Sequence, residues 1–254
     1  MGHLQLPPGK KIAVNLGTDF DGQSLWLGGF NRPTPSVMSR GQFGAEVGVP
    51  RLLELYERFG VTTTWFTPGH SLDTFPEQCR KVLEAGHEFG HHGYYHEIPP
   101  GLERDTERRL VDLAFESFKN VLGIRPTGYR SPYWDYSEST LDIIEESGFL
   151  YDTSLMARDL VPYRPQRWQI NWESANVAGT ASSVLEIPVN WYLDDFHRWP
   201  TPGRRRACRT PRRSSGGGGT SSTTPTSGST TRFSLPACTR RSSARPTTCS
   251  GTSG

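Results

Sequence analysis

No run of about eighteen apolar residues occurs in the 254-residue chain, so its hydropathy offers no membrane-spanning helix. The opening residues, Met1-Gly2-His3-Leu4-Gln5-Leu6-Pro7-Pro8, carry no basic stretch followed by an apolar one. No export signal is read there, and a cytoplasmic enzyme is the expectation. Cysteine is scarce: of four, only Cys79 precedes residue 200, and no C-x-x-C pair occurs. That excludes a disulfide framework and a thiolate metal site, and Cys79 is expected as a half-buried helix residue. Acidic residues are missing after Asp195, whereas ten arginines fall between Arg204 and Arg245. The net charge of +2 hides this division. With those ten set apart from 28 basic residues, 18 remain against 26 acidic ones, so the body of the chain is acidic.

What is present reads as one α/β domain with a full core. Residues 11–18 form an apolar first strand, buried on both faces, running into Asp19-Phe20-Asp21-Gly22. A long loop follows to Gly48, then a helix with Pro50 at its first position that ends near Gly60. Residues 61–66 are β-branched and aromatic, hence a second strand. A helix over 75–85 and a short third strand lead into a histidine-rich stretch. Beyond it the pattern predicts a helix over 102–122, a strand over 126–130, a helix over 138–147, and strands over 149–152 and 184–189. Alternating strands and helices point to a parallel sheet or barrel with its site at the strand C-terminal ends.

Four of the seven histidines lie in Gly86-His87-Glu88-Phe89-Gly90-His91-His92-Gly93-Tyr94-Tyr95-His96-Glu97. On a helical turn His92 and His96 share a face, where two neutral imidazoles can hold one metal ion. The plain alternative is a His-rich surface loop. Asp19 and Asp21 are two apart at a strand end, so both carboxylates can enter one pocket; an Asp-rich turn is the alternative. Taken together the four residues make a two-His, one-carboxylate metal site with a spare carboxylate to act as base.

Asp19-Phe20-Asp21, the histidine stretch, and Gly128-Tyr129-Arg130-Ser131-Pro132-Tyr133-Trp134 resemble the first three motifs of the polysaccharide deacetylase (NodB homology) family. Phe149-Leu150-Tyr151-Asp152-Thr153-Ser154-Leu155-Met156 and Leu185-Glu186-Ile187-Pro188-Val189-Asn190-Trp191 resemble its next blocks. The resemblance runs from about Lys11 to Asp195. It implies a distorted (β/α) barrel that hydrolyses a non-peptide carbon–nitrogen amide bond. It also implies that Asp21, His92 and His96 hold a divalent metal, usually zinc. Asp19 would be the general base, and Arg130 would pair with it and orient it. Tyr133, Trp134 and Trp191 would wall the substrate groove, although so many aromatics also suit a core. Asp152 would support the site as a hydrogen-bond acceptor behind it. His87 and His91 are expected to be structural, while His3 and His70 carry no signal. Leu25-Trp26-Leu27 and the His-Gly-x-x-His motif resemble one branch, which includes cytoplasmic peptidoglycan-deacetylase-like proteins and hydrolases of small cyclic imides. The implied substrate is thus an N-acetylated sugar or a small cyclic amide, imide or ureide. No membrane partner is expected, and a homo-oligomer is compatible with the reading.

The chain departs from the family after residue 203, which divides it into a catalytic domain (1–203) and a tail (204–254). The family needs a further histidine in a Leu-x-Met-His-Pro-like segment to protonate the leaving nitrogen, and no histidine follows His197. The tail is rich in Arg, Ser, Thr, Gly and Pro. One reading is a disordered basic tail that contacts nucleic acid in a non-catalytic protein. The preferred reading is a family C-terminus translated out of frame, with a nucleic-acid partner not expected. Joining each third codon base to the next two lets Ala237-Cys238-Thr239-Arg240 encode Met-His-Pro, with the middle position restricted to His or Tyr. In the same frame Arg206-Ala207-Cys208-Arg209-Thr210-Pro211 permits Gly-Leu-Pro-Asp-Pro. A chain so damaged would fold poorly and turn over slowly.

Overall fold

A computed structural model describes residue 6 and residues 8–196. Within them, short β-branched and aromatic segments alternate with amphipathic helices, and the strands line up in parallel. The strands are β1 (Gly17–Asp19), β2 (Thr64–Thr67), β3 (Glu88–His91), β4 (Gly128–Tyr129), β5 (Tyr151–Asp152), β6 (Gln166–Gln169), β7 (Val177–Ala181) and β8 (Leu185–Glu186). Six form one parallel sheet in the order β1-β2-β3-β4-β5-β8, and β6 pairs with β7 as a separate antiparallel hairpin. The helices are α1 (Pro35–Phe43), α2 (Val49–Phe59), α3 (Gly69–Thr74), α4 (Pro76–Glu84), α5 (Arg104–Leu122) and α6 (Thr140–Glu146).

The core explains which segments became which element. Thr64-Trp65-Phe66-Thr67 is buried throughout, as a strand covered on both faces must be. Trp65 packs with Phe20, Val49, Leu72, Cys79, Val82, Phe89 and Phe118. A second cluster gathers Val111, Phe115, Tyr129, Ile143, Ile144, Phe149 and Val184. Helix α5 serves both, because its buried stripe of Leu110, Val111, Ala114, Phe115 and Phe118 follows the helical period. Asp105 and Glu107 in its first turn and Lys119 in its last complement the helix dipole. Helix α2 ends at Gly60, whose φ of +60° closes the turn as expected. No helix among the described residues is long and apolar enough to cross a membrane.

Several expectations are corrected. Residues 11–16 are not a buried strand: Ile12, Val14 and Leu16 are 73, 72 and 47% exposed. Strand β1 is shorter and lies at an edge of the sheet, with β2 its one strand neighbour among the described residues. The supposed loop before Gly48 is largely helical, with α1 flanked by π-helical turns at Leu25–Gly29 and Gly44–Gly48. Pro35 starts α1 where its missing N–H costs nothing. The β6–β7 hairpin was not anticipated, although Trp168, Ile170 and Trp172 alternate as a strand would. Cys79 is fully rather than half buried, facing the first core cluster. His3, His197 and the whole tail, including the segments read as out of frame, lie outside the described residues.

Candidate metal centre

Parallel register brings the site together. Asp19, Phe66 and Gly90 are cross-strand neighbours, and His91, Tyr129, Asp152 and Glu186 form the next row across the sheet. The residues that leave these strand ends therefore converge: Asp21 after β1, His92 and His96 after β3, Arg130 after β4 and Thr153 after β5. This is the end at which parallel α/β sheets build their sites.

Asp21, His92 and His96 offer three ligand atoms that all lie within 4.8 Å of one another. His92 Nε2 is 3.5 Å from Asp21 Oδ1, and His96 Nε2 is 3.7 Å from Asp21 Oδ2. Ligands of a tetrahedral ion at bond lengths of about 2 Å sit roughly 3.3 Å apart, so modest tightening accommodates one. His92 Nδ1–H donates to the Arg130 carbonyl at 2.7 Å, which fixes the tautomer and leaves Nε2 free to ligate. Burial pushes both imidazoles down to about 3, so they are neutral, the form a metal takes. Burial and the nearby Asp19 charge raise the Asp21 carboxyl well above its ordinary range, an arrangement a cation would relieve. Asp21 Oδ1 is buried without a hydrogen-bond donor. The residues fit a divalent ion.

The spacing of the two histidines was right for a reason other than the expected one. They lie in a loop, not on a helical turn, and His96 has a left-handed φ of +60°. Glu97 holds the loop, accepting the N–H groups of Tyr94 at 3.0 Å and Tyr95 at 3.0 Å through Oε2. Gly93 is required there: its φ is +69°, and a Cβ would stand 2.6 Å from Glu97 Oε1. Beneath Asp21, Ser71 Oγ donates to the Asp21 carbonyl at 2.5 Å and meets Ser24 Oγ at 2.9 Å.

Arg130 joins the cluster to Asp19. It is 7% exposed, its guanidinium donates to Asp19 Oδ1, and its Nε donates to the Thr153 carbonyl at 3.2 Å. The same guanidinium lies 4.1 Å from the centre of the Phe66 ring. Tyr133 and Trp134 adopt positive φ values of 61° and 54°, backbone strain of the sort that clusters at functional sites. The Tyr133 ring stands 4.9 Å from that of His96, and burial with the Asp21 charge pushes its phenol up to about 12. Trp134 meets Trp191 edge-on at 5.0 Å. Asp152 is fully buried, but its partners are Tyr136 and Ser154 rather than the histidines. His91 is locked between the Val111 carbonyl and the Gly93 N–H, and His87 accepts the Thr63 N–H, so both are structural. Sequence reasoning passed over Glu97 and Glu186; the position of Glu97 directly after His96 was the available signal.

Comparisons with known proteins agree with one another. Residues 41–151 match the profile of the polysaccharide deacetylase family. A peptidoglycan deacetylase of Helicobacter pylori is 39% identical over 199 residues, 74% of this chain and 68% of its own. A peptidoglycan deacetylase-like protein of Gibberella zeae is 33% identical over 209 residues, 76% of this chain and 62% of its own. A crystal structure from Mycobacterium smegmatis, assigned as a polysaccharide deacetylase, superposes with a TM-score of 0.67 at 37% identity. That match covers 77% of this chain and 65% of that one, so the chain spans about two thirds of each relative's length. The Asp/His/His cluster is of the kind used by metal-dependent amide hydrolases of this superfamily, and the parallel sheet is typical of its barrels.

Proposed function

Because the chain belongs to the polysaccharide deacetylase family, we propose that it is built to hydrolyse a non-peptide carbon–nitrogen amide bond with a divalent metal, zinc by preference. The observation that carries this reading is the convergence of Asp21, His92 and His96, with the Arg130–Asp19 pair beside them. Two imidazoles and one carboxylate are a ligand set that zinc accepts with a position left open. When bound, the ion would polarise the amide carbonyl and acidify water, whose pKa zinc can lower to about 7. Asp19 takes the proton of the attacking water, and Arg130 holds the Asp19 carboxylate toward the cluster. His92, fixed through the Arg130 carbonyl, keeps its Nε2 free to ligate. Tyr133, Trp134 and Trp191 wall the groove, and Asp152 supports it from behind.

The substrate we assign first is an N-acetylated glycan, in keeping with the names of the relatives; a small cyclic imide is the competitor. The expected compartment, the cytoplasm, belongs to the same proposal and is read by cell fractionation. The barrel is proposed to be incomplete, with residues 204–254 a separate, out-of-frame tail. What supports this is the apolar row Ile12, Val14 and Leu16, exposed beside the edge strand β1, and the absence of any histidine after His197. An open edge of that kind calls for a covering strand.

Zinc content and hydrolysis of a chito-oligosaccharide and of a cyclic imide, compared with Asp19→Asn, test the chemistry. Loss of turnover with zinc retained is the expected result; unchanged turnover would remove Asp19 from its role. Sequencing the DNA for residues 200–254 tests the tail: a single-base shift that restores a Met-His-Pro segment is expected, and a frame without one overturns it.

A further inference from the structure

Asp152 and Glu186 are register partners on β5 and β8, and both are fully buried. Neither forms an ion pair among the described residues. One N–H, that of Ser154, serves both, at 3.1 Å to Asp152 Oδ2 and 3.0 Å to Glu186 Oε1. Two bare negative charges that share one donor in a dry space repel strongly, so one of them holds a proton.

The donor inventory says which. Asp152 faces donors on both oxygens: Tyr136 Oη–H at 2.6 Å and the Ser154 N–H reach Oδ2, and Ser154 Oγ–H reaches Oδ1 at 2.8 Å. Ser154 Oγ meanwhile accepts the Ser131 N–H at 2.8 Å, leaving its own hydrogen for Asp152. Glu186 Oε1 accepts two N–H groups, from Ser154 at 3.0 Å and Leu155 at 2.9 Å. Glu186 Oε2 is buried with no donor at all. It is satisfied only as a hydroxyl, and the acceptor facing it is the Asp152 carboxylate, its register partner and the sharer of the Ser154 N–H.

We propose that Glu186 is a neutral carboxylic acid donating to the Asp152 carboxylate, and that this pair positions Arg130 and His92 by clamping the turn over Thr153, Ser154 and Leu155. The clamp reaches the metal centre in two steps. Thr153 presents its carbonyl to Arg130 Nε at 3.2 Å, and Ser154 anchors Ser131, the next residue in the chain. Arg130 then presents its own carbonyl to His92 Nδ1 at 2.7 Å and its guanidinium to Asp19. Burial and the Asp152 charge push the Glu186 carboxyl up to about 11, in keeping with the donor count. The positioning role rests on the metal reading above; the place of the proton does not.

Glu186→Gln copies the proposed form, because its amide donates to Asp152 and its carbonyl accepts the same two N–H groups. Glu186→Leu removes the donor and the acceptor together, and Ser154→Ala cuts the link to Ser131 and one hydroxyl donor to Asp152 while leaving both carboxyls and the Ser154 N–H in place. Infrared difference spectra of wild type against Glu186→Gln, at neutral pH, read the proton. A carboxylic-acid C=O band present only in wild type is expected, and its absence overturns the assignment. Competition titration with a chromophoric chelator reads zinc affinity. Glu186→Gln should stay within about twofold of wild type. Glu186→Leu and Ser154→Ala should weaken binding by about tenfold, the lower end of what groups behind a metal ligand contribute. Unchanged affinity in both weakened variants overturns the clamp. If Glu186→Leu does not fold, Ser154→Ala decides. If wild type binds no zinc, the metal reading and the clamp built on it fall, and the infrared result still decides the proton.

Discussion

The cluster of Asp21, His92 and His96 and the pair of Asp152 and Glu186 are both polar, buried but for a partly exposed Asp21, and set at neighbouring strand ends. They meet the cost of that burial in opposite ways. The pair closes on itself: Tyr136, Ser154 and Leu155 supply donors, and one shared proton removes one of the two charges. The cluster stays open, with Asp21 Oδ1 and His96 Nδ1 buried and unpartnered and the Asp21 carboxyl raised by its surroundings. A polar group kept without partners inside a fold costs roughly 1–3 kcal/mol, and such a cost marks a place meant for something else. Glu186 Oε2, equally without a donor, joins the closed pair only through that proton, so the contrast between ligand site and scaffold stands on it.

The comparison breaks most sharply at the metal. Asp21→Asn and His92→Ala should each weaken zinc binding by more than about a hundredfold, beyond what supporting groups contribute. Zinc at a thousandfold excess over the wild-type Kd should stabilise the wild type by about 4 kcal/mol and each variant by no more than about 1.4 kcal/mol. Thermal melts with zinc and with chelator measure this, and a retained shift in Asp21→Asn would place the ion elsewhere. Arg130→Met comes next, because Arg130 belongs to both regions. It is 7% exposed, but its partner Asp19 keeps 31% of its side chain in solvent. The loss should therefore fall at or below the low end for a broken buried pair, about 2–3 kcal/mol, read by urea unfolding.

The closed pair is sharpened by its own variants. Asp152→Asn turns an NH2 toward groups that already donate, which should cost about 2 kcal/mol. Glu186→Gln should behave differently with pH. The Glu186 carboxyl is raised to about 11 in the fold and has an ordinary value of about 4.3 when unfolded. Between those values the folded chain holds a proton that the unfolded chain has lost, so stability falls as pH rises. Asp152 faces the same space and shares in the titration, whereas burial raises the Tyr136 and Tyr163 phenols, which stay protonated over this range. Urea midpoints at pH 6 and pH 9 should fall further in wild type than in Glu186→Gln; parallel falls would contradict the pairing.

How much of this was legible before the fold was known differs between the two regions. The open cluster was readable because metal chemistry is selective about residue type, and Asp19, Asp21, His92, His96 and Arg130 are few and ordered. Its local geometry was misread, since a four-residue spacing suits a helical turn, whereas Gly93 and Glu97 build a loop with left-handed backbone. The closed pair was only half visible. Asp152 was picked out as a support, but Glu186 sits in a Leu-Glu-Ile-Pro run where a strand acid is normally expected to face water. Only the register of β5 with β8 turns it inward against Asp152. Edges were the least legible: the apolar alternation at 12, 14 and 16 promised a buried strand, and burial depends on a neighbour that the local sequence does not specify.

A half-buried carboxylate supplies the lower end of the scale. Glu145 on α6 accepts the Ser183 hydroxyl at 2.5 Å, the Arg167 guanidinium, and the Ser183 N–H at 2.7 Å. Arg167 also donates to Asp142 at 2.7 Å, so this group ties β6 and the approach to β8 onto α6. These bonds, the Ser183 hydroxyl first, hold the Glu145 carboxyl down at about 2. A depressed carboxyl contributes stability above its unfolded value of about 4.3 and loses it as pH falls toward 2, the reverse of Glu186. With 26% of its side chain exposed, solvent screens the contribution, and Glu145→Gln should cost under about 1 kcal/mol at pH 7. The gap between variant and wild type should then shrink at pH 3. A gap of equal size at both values would mean that the substituted amide fails for reasons of packing, and that charge at this half-buried site counts for nothing.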